Sequence, residues 1–387
     1  MPSSIIPSSP GEGTPGHQAR ISAYLERLRT CIGQWVAEGF APDDARFERL
    51  VLELFALQYE ANPVYRFWCV SRRIDPSSLR SWREVPGLPA AAFKESPVTC
   101  LRGDGITTWF QSSGTTGQTP SRHFHDSVSL QAYEASFEPW FQHHALDRWT
   151  DSAVNLRLSW ISLVPSRTNA PHSSLAYMIG RLMDRFAPSG SATAGIAGAD
   201  GQWELESAVL IGALERAQAE KRPVFLLGTA FNVVHLMDAL EAAGKQFRLP
   251  AGSRVMETGG YKGRSRVLTA AELAQGIRKY LGIPAHDVLT EYGMSELSSQ
   301  AYSRWSDDTG AGVLQLPPWA RGMVISPETG REVSDGETGL LRLIDTANVA
   351  SVLCLQTEDL AVRRGRDFQL LGRRPTAEAR GCSLMSV

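Results

Sequence analysis

The run QSSGTTG, Gln111 to Gly117, follows an apparent strand at 106–110 and crowds hydroxyl side chains and two glycines into seven residues. Glycine lets a backbone approach an anion closely and adopt positive φ. Consecutive N–H groups in such a turn form an anion-binding concavity, to which Ser and Thr hydroxyls add donors. Ser112, Ser113, Gly114, Thr115, Thr116 and Gly117 are therefore candidate ligands of a triphosphate. No Gly-Lys-Ser/Thr follows, so this is not a Walker A loop. On composition alone, a flexible surface turn would read the same way.

Two further motifs each follow an apolar run. EYGMSEL, Glu291 to Leu297, comes directly after Val288-Leu289-Thr290. That places it at the carboxyl end of a strand, where ligands bind in open α/β sheets. Tyr292 could stack on a base, Ser295 could donate to a phosphate, and Glu296 could hold a magnesium ion through one oxygen. By itself the same stretch reads as a strand end whose Glu and Ser cap the next helix. TEDL, Thr357 to Leu360, offers Asp359 as an acceptor for both hydroxyls of a ribose, although an ordinary turn is the commoner fate of an Asp. Thirteen residues later, Gly372-Arg373-Arg374 supplies a cationic partner for phosphate or ribose.

The surrounding pattern is α/β. Strand candidates at 158–164, 224–227, 254–257 and 288–290 alternate with helix candidates at 204–219 and 231–242. Such alternation favours a largely parallel, doubly wound sheet. Upstream, Ile21, Leu25, Leu28, Ile32 and Trp35 share one helical face, and Gly39 suits its end. A second amphipathic helix runs from Asp43, an N-cap candidate, to the residue before Pro63. β-rich segments follow at 339–344 and 349–355. The organisation expected is a disordered leader over 1–18, a helical region over 19–104, an α/β core over 105–371 and a short tail over 372–387.

Composition excludes several classes. The chain has 387 residues, 43% hydrophobic and 21% charged, with a formal charge of −2, which argues against nonspecific nucleic-acid binding. No apolar run approaches the roughly 18 residues of a membrane span. The Pro/Ser/Gly-rich start lacks a basic residue followed by an apolar stretch, so it does not read as a signal peptide. Five dispersed cysteines without a C-x-x-C pair fit a reducing compartment. A soluble, cytoplasmic protein is expected.

Taken together, in this order and spacing, the three motifs resemble the adenylate-forming superfamily: a Ser/Thr/Gly phosphate loop, an aromatic-Gly-x-Ser/Thr-Glu motif (Tyr292, Gly293, Ser295 and Glu296 here), then an Asp. FALQYEANPVYRFWC (55–69), LPAAAFKESPVTC (88–100), SLVPS (162–166), SSLAYM (173–178), METGGYKGR (256–264) and RGCSL (380–384) look like the LuxE-type acyl-protein synthetases within it. The resemblance spans nearly the whole chain after the leader. It implies the large α/β domain of these enzymes, with ATP held at its β- and γ-phosphates by the loop, magnesium on Glu296 and the ribose on Asp359. It also implies adenine against Tyr292, with Gly259 and Gly260 as another wall. The implied chemistry is attack of a fatty or aromatic carboxylate on the α-phosphorus. The acyl group then goes to an acceptor, being a reductase subunit, an acyl carrier protein or coenzyme A.

Two departures narrow the resemblance. Where typical members carry a Lys after the phosphate loop, this chain has Gln118, Ser121 and Arg122. Only fifteen residues follow Gly372, so the usual small C-terminal domain, with its Lys, is expected to be missing, as in the similarly short LuxE-type proteins. Lys262, Arg264, Arg373 and Arg380 are candidates to replace that Lys. By the same resemblance Cys382 would take the acyl group as a thioester, its thiol pKa lowered by nearby Arg380. The alternatives left open are direct loading of coenzyme A or a carrier-protein thiol, and a noncatalytic binding subunit. His123-Phe124-His125 alternates like a metal site, but with no acidic or Cys partners it reads as a strand with polar faces. His143, His144 and Asp147 miss the spacing of the condensation-enzyme motif HHxxxDG by one residue, and Trp149, Trp160, Phe137 and Phe141 read as core.

Overall fold

A computed structural model describes residues 15–112, 119–146, 158–198, 202–259, 268–304 and 312–373. Helix α1 (Pro15–Ala37) begins inside the expected leader, at the first proline after which apolar residues recur every three or four positions. Gly39, at φ 66°, follows it. Helix α2 (Asp44–Ala61) starts where Asp43 accepts the Arg46 amide at 2.8 Å and ends against Asn62. Asn62 in turn caps α3 (Pro63–Val70), whose proline occupies the first turn, where no N–H is missed.

After β1 (Leu88–Pro89) and the single turn α4 (Ala92–Glu95), a hairpin forms from β2 (Thr108–Gln111) and β3 (Arg122–His125). Helix α5 (Ser127–Ala145) follows, opened by a capping box between Asp126 and Ser129. The alternating segment then runs β4 (Ser159–Pro165), α6 (Ser174–Phe186), β5 (Ala192–Ala197), β6 (Trp203–Leu205), α7 (Ser207–Ala219), β7 (Val224–Thr229), α8 (Ala230–Ala242), β8 (Arg254–Thr258), α9 (Ala270–Leu281), β9 (Val288–Tyr292) and β10 (Ala301–Arg304). The expected helix at 204–219 is shorter, because Glu204 and Leu205 pair with β5 as an edge strand before the turn at Glu206.

These strands build a seven-stranded sheet in the order β10-β9-β8-β7-β4-β5-β6, parallel through its centre, with antiparallel edges at β10 and β6. Both faces are covered, so its strands are apolar on both sides. In β7, Phe225 and Leu227 enter the core shared with α5 and the N-terminal helices, while Val224 and Leu226 enter the core under α7, α8 and α9.

The last strands, β11 (Ala320–Ile325), β12 (Thr338–Asp345), β13 (Cys354–Arg364) and β14 (Asp367–Arg373), form a second sheet with β1. One edge of β13 is shared: β1 pairs with Leu355 and Gln356, and β14 takes over from Asp359. The expected strand at 349–355 therefore begins only at Cys354, because residues 345–352 form a buried polar turn instead. That turn is fastened to α1 and α2: Tyr24 donates to the Thr346 carbonyl at 2.8 Å, and Gln58 donates to Asn348 O at 2.7 Å. Helices α1 to α3 thus share one apolar core with α5 and the second sheet.

Candidate active site

Strand β9 delivers Tyr292 to the carboxyl end of the seven-stranded sheet, and β13 delivers Asp359 from the other sheet. The Tyr292 hydroxyl donates to Asp359 Oδ2 at 2.8 Å. Arg373 Nε donates to Asp359 Oδ1 at 3.1 Å, the two residues being register partners across β13 and β14. Asp359 is 7% exposed and lies within a strand, not the turn that its residue type favours. Thr357 steadies it, donating to Leu341 O while accepting the Asp359 amide at 3.1 Å. Burial first, then the Asp359 carboxylate, holds the Tyr292 phenol well above its usual range. Tyr292, Asp359 and Arg373, expected from three separate motifs, are thus in direct contact.

Glu296 is 6% exposed, and among the described residues its carboxylate takes no hydrogen bond or ion pair. With no protein cation beside it among the described residues, the Glu296 carboxylate has oxygens to offer a metal ion. Among the described residues no group of three or more His, Cys, Asp or Glu could enclose a metal. Magnesium asks for less, because it binds nucleotide phosphates with one or two protein carboxylates.

The turn carrying Glu296 is fixed through its backbone. His123 Nδ1 lies 2.8 Å from the Ser295 carbonyl, and Asn348 Nδ2 donates to Glu296 O at 2.8 Å. Asp345 accepts the Ser298 and Ser299 amides at 2.8 and 2.7 Å, and the Ser299 hydroxyl at 2.7 Å. His123 is fully buried, and burial pushes its imidazole down to about 4, so the ring is neutral. The polar-faced strand expected at His123–His125 is present as β3, but both its histidines point inward.

Gly293 needs to be glycine for room. A Cβ there would stand 2.5 Å from Glu291 Oε1, on a carboxyl that the Thr258 hydroxyl holds. Burial pushes Glu291 and its neighbour Glu257 each up to about 7, with Glu257 also raising Glu291. Gly259, one residue past β8, has φ 71°, a conformation that favours glycine.

The feet of the phosphate loop are described although its crown is not. Ser112 N donates to Ser121 O at 3.2 Å, Ser121 N donates to Ser112 Oγ at 3.1 Å, and Gln111 pairs with Arg122. His172 braces this foot, its ring stacked 4.0 Å from Trp109 and its carbonyl accepting the Gln111 amide. Ser113, Gly114, Thr115, Thr116, Gly117, Gln118, Gly260, Lys262, Arg264, Arg380 and Cys382 lie outside the described residues, as do Asp147 and Trp149. Cys69, Cys100 and Cys354 are each pushed up to about 12 by burial, and Cys31 is raised too, so none of these four is an activated thiolate. Sequence reasoning missed His123, His172, Asp345 and Asn348. Their one local signal is polarity inside apolar runs, as in His123-Phe124-His125 and Asp345-Thr346-Ala347-Asn348.

The profile of a family described as "Acyl-protein synthetase, LuxE" matches residues 40–386. The long-chain-fatty-acid–luciferin-component ligase of Aliivibrio fischeri is 22% identical over 355 residues, covering 87% of this chain and 86% of the relative. The ligase of the same name from Vibrio harveyi is 22% identical over 345 residues, with the same coverage of 87% and 86%. Among solved structures, an open conformation of 2-hydroxyisobutyryl-CoA ligase in complex with 2-HIB-AMP and CoA matches with a TM-score of 0.58 at 17% identity, over 85% of this chain and 74% of that one. At that identity the likeness establishes the fold, the large α/β domain of adenylate-forming ligases. No helix among the described residues is long and apolar enough to cross a membrane.

Proposed function

The chain belongs to the acyl-protein synthetase family LuxE, and from that premise we propose that it activates a carboxylic acid with ATP and hands the acyl group to a protein through Cys382. In the first step a carboxylate oxygen attacks the α-phosphorus, the bond to the β-phosphate oxygen breaks, and pyrophosphate leaves. In the second, the Cys382 sulfur attacks the acyl carbon, AMP leaves and the thiol proton goes to solvent. A final exchange passes the acyl group to a nucleophile on the acceptor.

The observation that carries this reading is the meeting of Tyr292, Asp359 and Arg373 between two sheets, beside a buried Glu296 that lacks a partner among the described residues. Asp359 has the oxygens to accept two ribose hydroxyls, Arg373 would turn to a phosphate, and Tyr292 gives adenine a face. Ser112 to Gly117, with Ser295, would grip the phosphates, and Gly259, Gly260 and Gly293 would let the backbone come close to the nucleotide. Magnesium held by Glu296 would neutralise phosphate charge. The protein's task is positioning, which suits a reaction whose barrier falls chiefly with alignment and charge compensation. The role of Cys382 is the one the family resemblance implies, and the four described cysteines, whose thiol pKa values burial raises, do not compete for it.

Pyrophosphate exchange across a panel of carboxylic acids tests the first step, with long-chain fatty acids first because relatives carry that name. No exchange with any acid would exclude catalysis. Mass spectrometry after ATP and the best acid tests the second step. An acyl adduct on Cys382, absent in Cys382→Ser, is expected. Full turnover of Cys382→Ser with coenzyme A or a carrier-protein thiol would replace this reading with direct loading.

A further inference from the structure

His123 stands outside the nucleotide contacts, yet it joins the two halves of the site. Strand β3 starts one residue after Ser121, which closes the phosphate loop on Ser112. From there the fully buried His123 ring reaches Ser295, the residue before Glu296, with Nδ1 2.8 Å from its carbonyl oxygen. A carbonyl only accepts, so Nδ1 must carry a proton. Asn348 also meets the His123 ring through its side chain, and it spends both amide hydrogens on Glu296 O and Val352 O. Two successive carbonyls, Ser295 and Glu296, are thus held by side chains from different parts of the fold, while the Glu296 carboxylate takes no partner among the described residues.

We propose that His123 is a positioning residue: by donating from Nδ1 to the Ser295 carbonyl it locks the turn bearing Glu296 to the hairpin that carries the phosphate loop. The effect is to fix the Glu296 carboxylate relative to Ser112 and Ser121, the feet of the phosphate loop, before ATP binds. His125, 4.2 Å away ring to ring and bonded to Ser129, fills the space behind it, and Phe93 packs on it edge-on.

This inference rests on the proposed ATP site, and the tests separate the two. In the wild-type protein, nitrogen-resolved NMR of the imidazoles, assigned by the signal lost in His123→Asn, is expected to show the proton on Nδ1. A proton on Nε2 would overturn the proposal whatever the protein's activity. Calorimetric titration with magnesium and ATP gives the second readout. His123→Phe keeps the ring volume without a donor and is expected to weaken binding by roughly tenfold, with the KM for the acid unchanged. His123→Asn puts an amide hydrogen near the place of Nδ1 and is expected to recover binding to within about threefold. Wild-type affinity in a folded His123→Phe, or an Asn variant no better than Phe, would sink the idea. Should His123→Phe not fold, the Asn variant and the tautomer still decide it. A wild-type protein that binds no ATP fails the functional reading, and the tautomer measurement remains.

Discussion

At the scale of single residues, the site is a set of carboxylates in unlike surroundings. Asp359 is shared by a phenol and a guanidinium, each donating to one of its oxygens. If it also holds the ribose, Asp359→Ala should weaken ATP by about 10–100-fold, the worth of hydrogen bonds to a charged group, with little change in affinity for the acid. Calorimetry with each ligand alone checks this, and an equal loss for both would point to general collapse. Glu291 is the opposite case. Its carboxyl titrates near 4.5 when unfolded and is pushed up to about 7 by burial when folded. Between those values the native state binds more protons, so stability falls as pH rises through that window and levels off above it. The penalty at pH 8 is on the order of 3 kcal/mol. Glu291→Gln should therefore match the wild type near pH 4.5 and exceed it at pH 8 in urea unfolding. An equal difference at both pH values would mean that the carboxyl does not change ionisation there.

At the scale of elements, the decisive piece is the polar turn between β12 and β13. Asp345 closes β12 and gathers the Ser298, Ser299 and Ala347 amides, so one carboxylate shapes both its own turn and the one that carries Glu296. Asp345→Ala would leave those buried N–H groups without acceptors and should cost about 3–5 kcal/mol. Asp345→Asn keeps one acceptor oxygen and should cost less. Denaturant midpoints rank the two, and the reverse order would contradict the assignment. This turn was also the least legible part of the sequence. Helical periodicity exposed α1 and α2, and short continuous apolar runs exposed β4, β7, β8 and β9. Likewise Tyr292 and Asp359 stood out by following apolar runs, and Arg373 as a cation in Gly372-Arg373-Arg374, which begins thirteen residues past the TEDL motif's Asp359. His123, Asp345 and Asn348 act on backbone groups of distant segments, as when Gln58 reaches Asn348 across 290 positions, and no local pattern encodes that. Local residue type was misleading at Asp359, where pairing of β13 with β14 overrides the turn preference, and at Glu204, where pairing with β5 overrides the helix.

At the scale of the molecule, the two sheets are joined in two ways, through the core and through the site. One apolar core runs from Ile21 in α1, through Phe141 and Phe225, to Phe368 in β14. Heat should therefore unfold the N-terminal helices and both sheets in one transition rather than in sequence, across the change of pattern at residue 105. The Tyr292–Asp359 bond adds a polar bridge between the sheets, located where ATP is proposed to bind. A nucleotide held on both sides of that bridge stabilises only the state in which both sheets are formed. At a hundredfold excess over its dissociation constant it should contribute about 2.7 kcal/mol, which for a chain of this size raises the midpoint by a few degrees. Calorimetry with magnesium and ATP should show that rise in a single peak, and Asp359→Ala should cut it to about half or less at the same concentration. Hydrogen exchange should slow together at the ends of β8 and β9 and along β13. Protection confined to one sheet, or two separate thermal transitions of which ATP moves one, would mean that the nucleotide does not span the sheets.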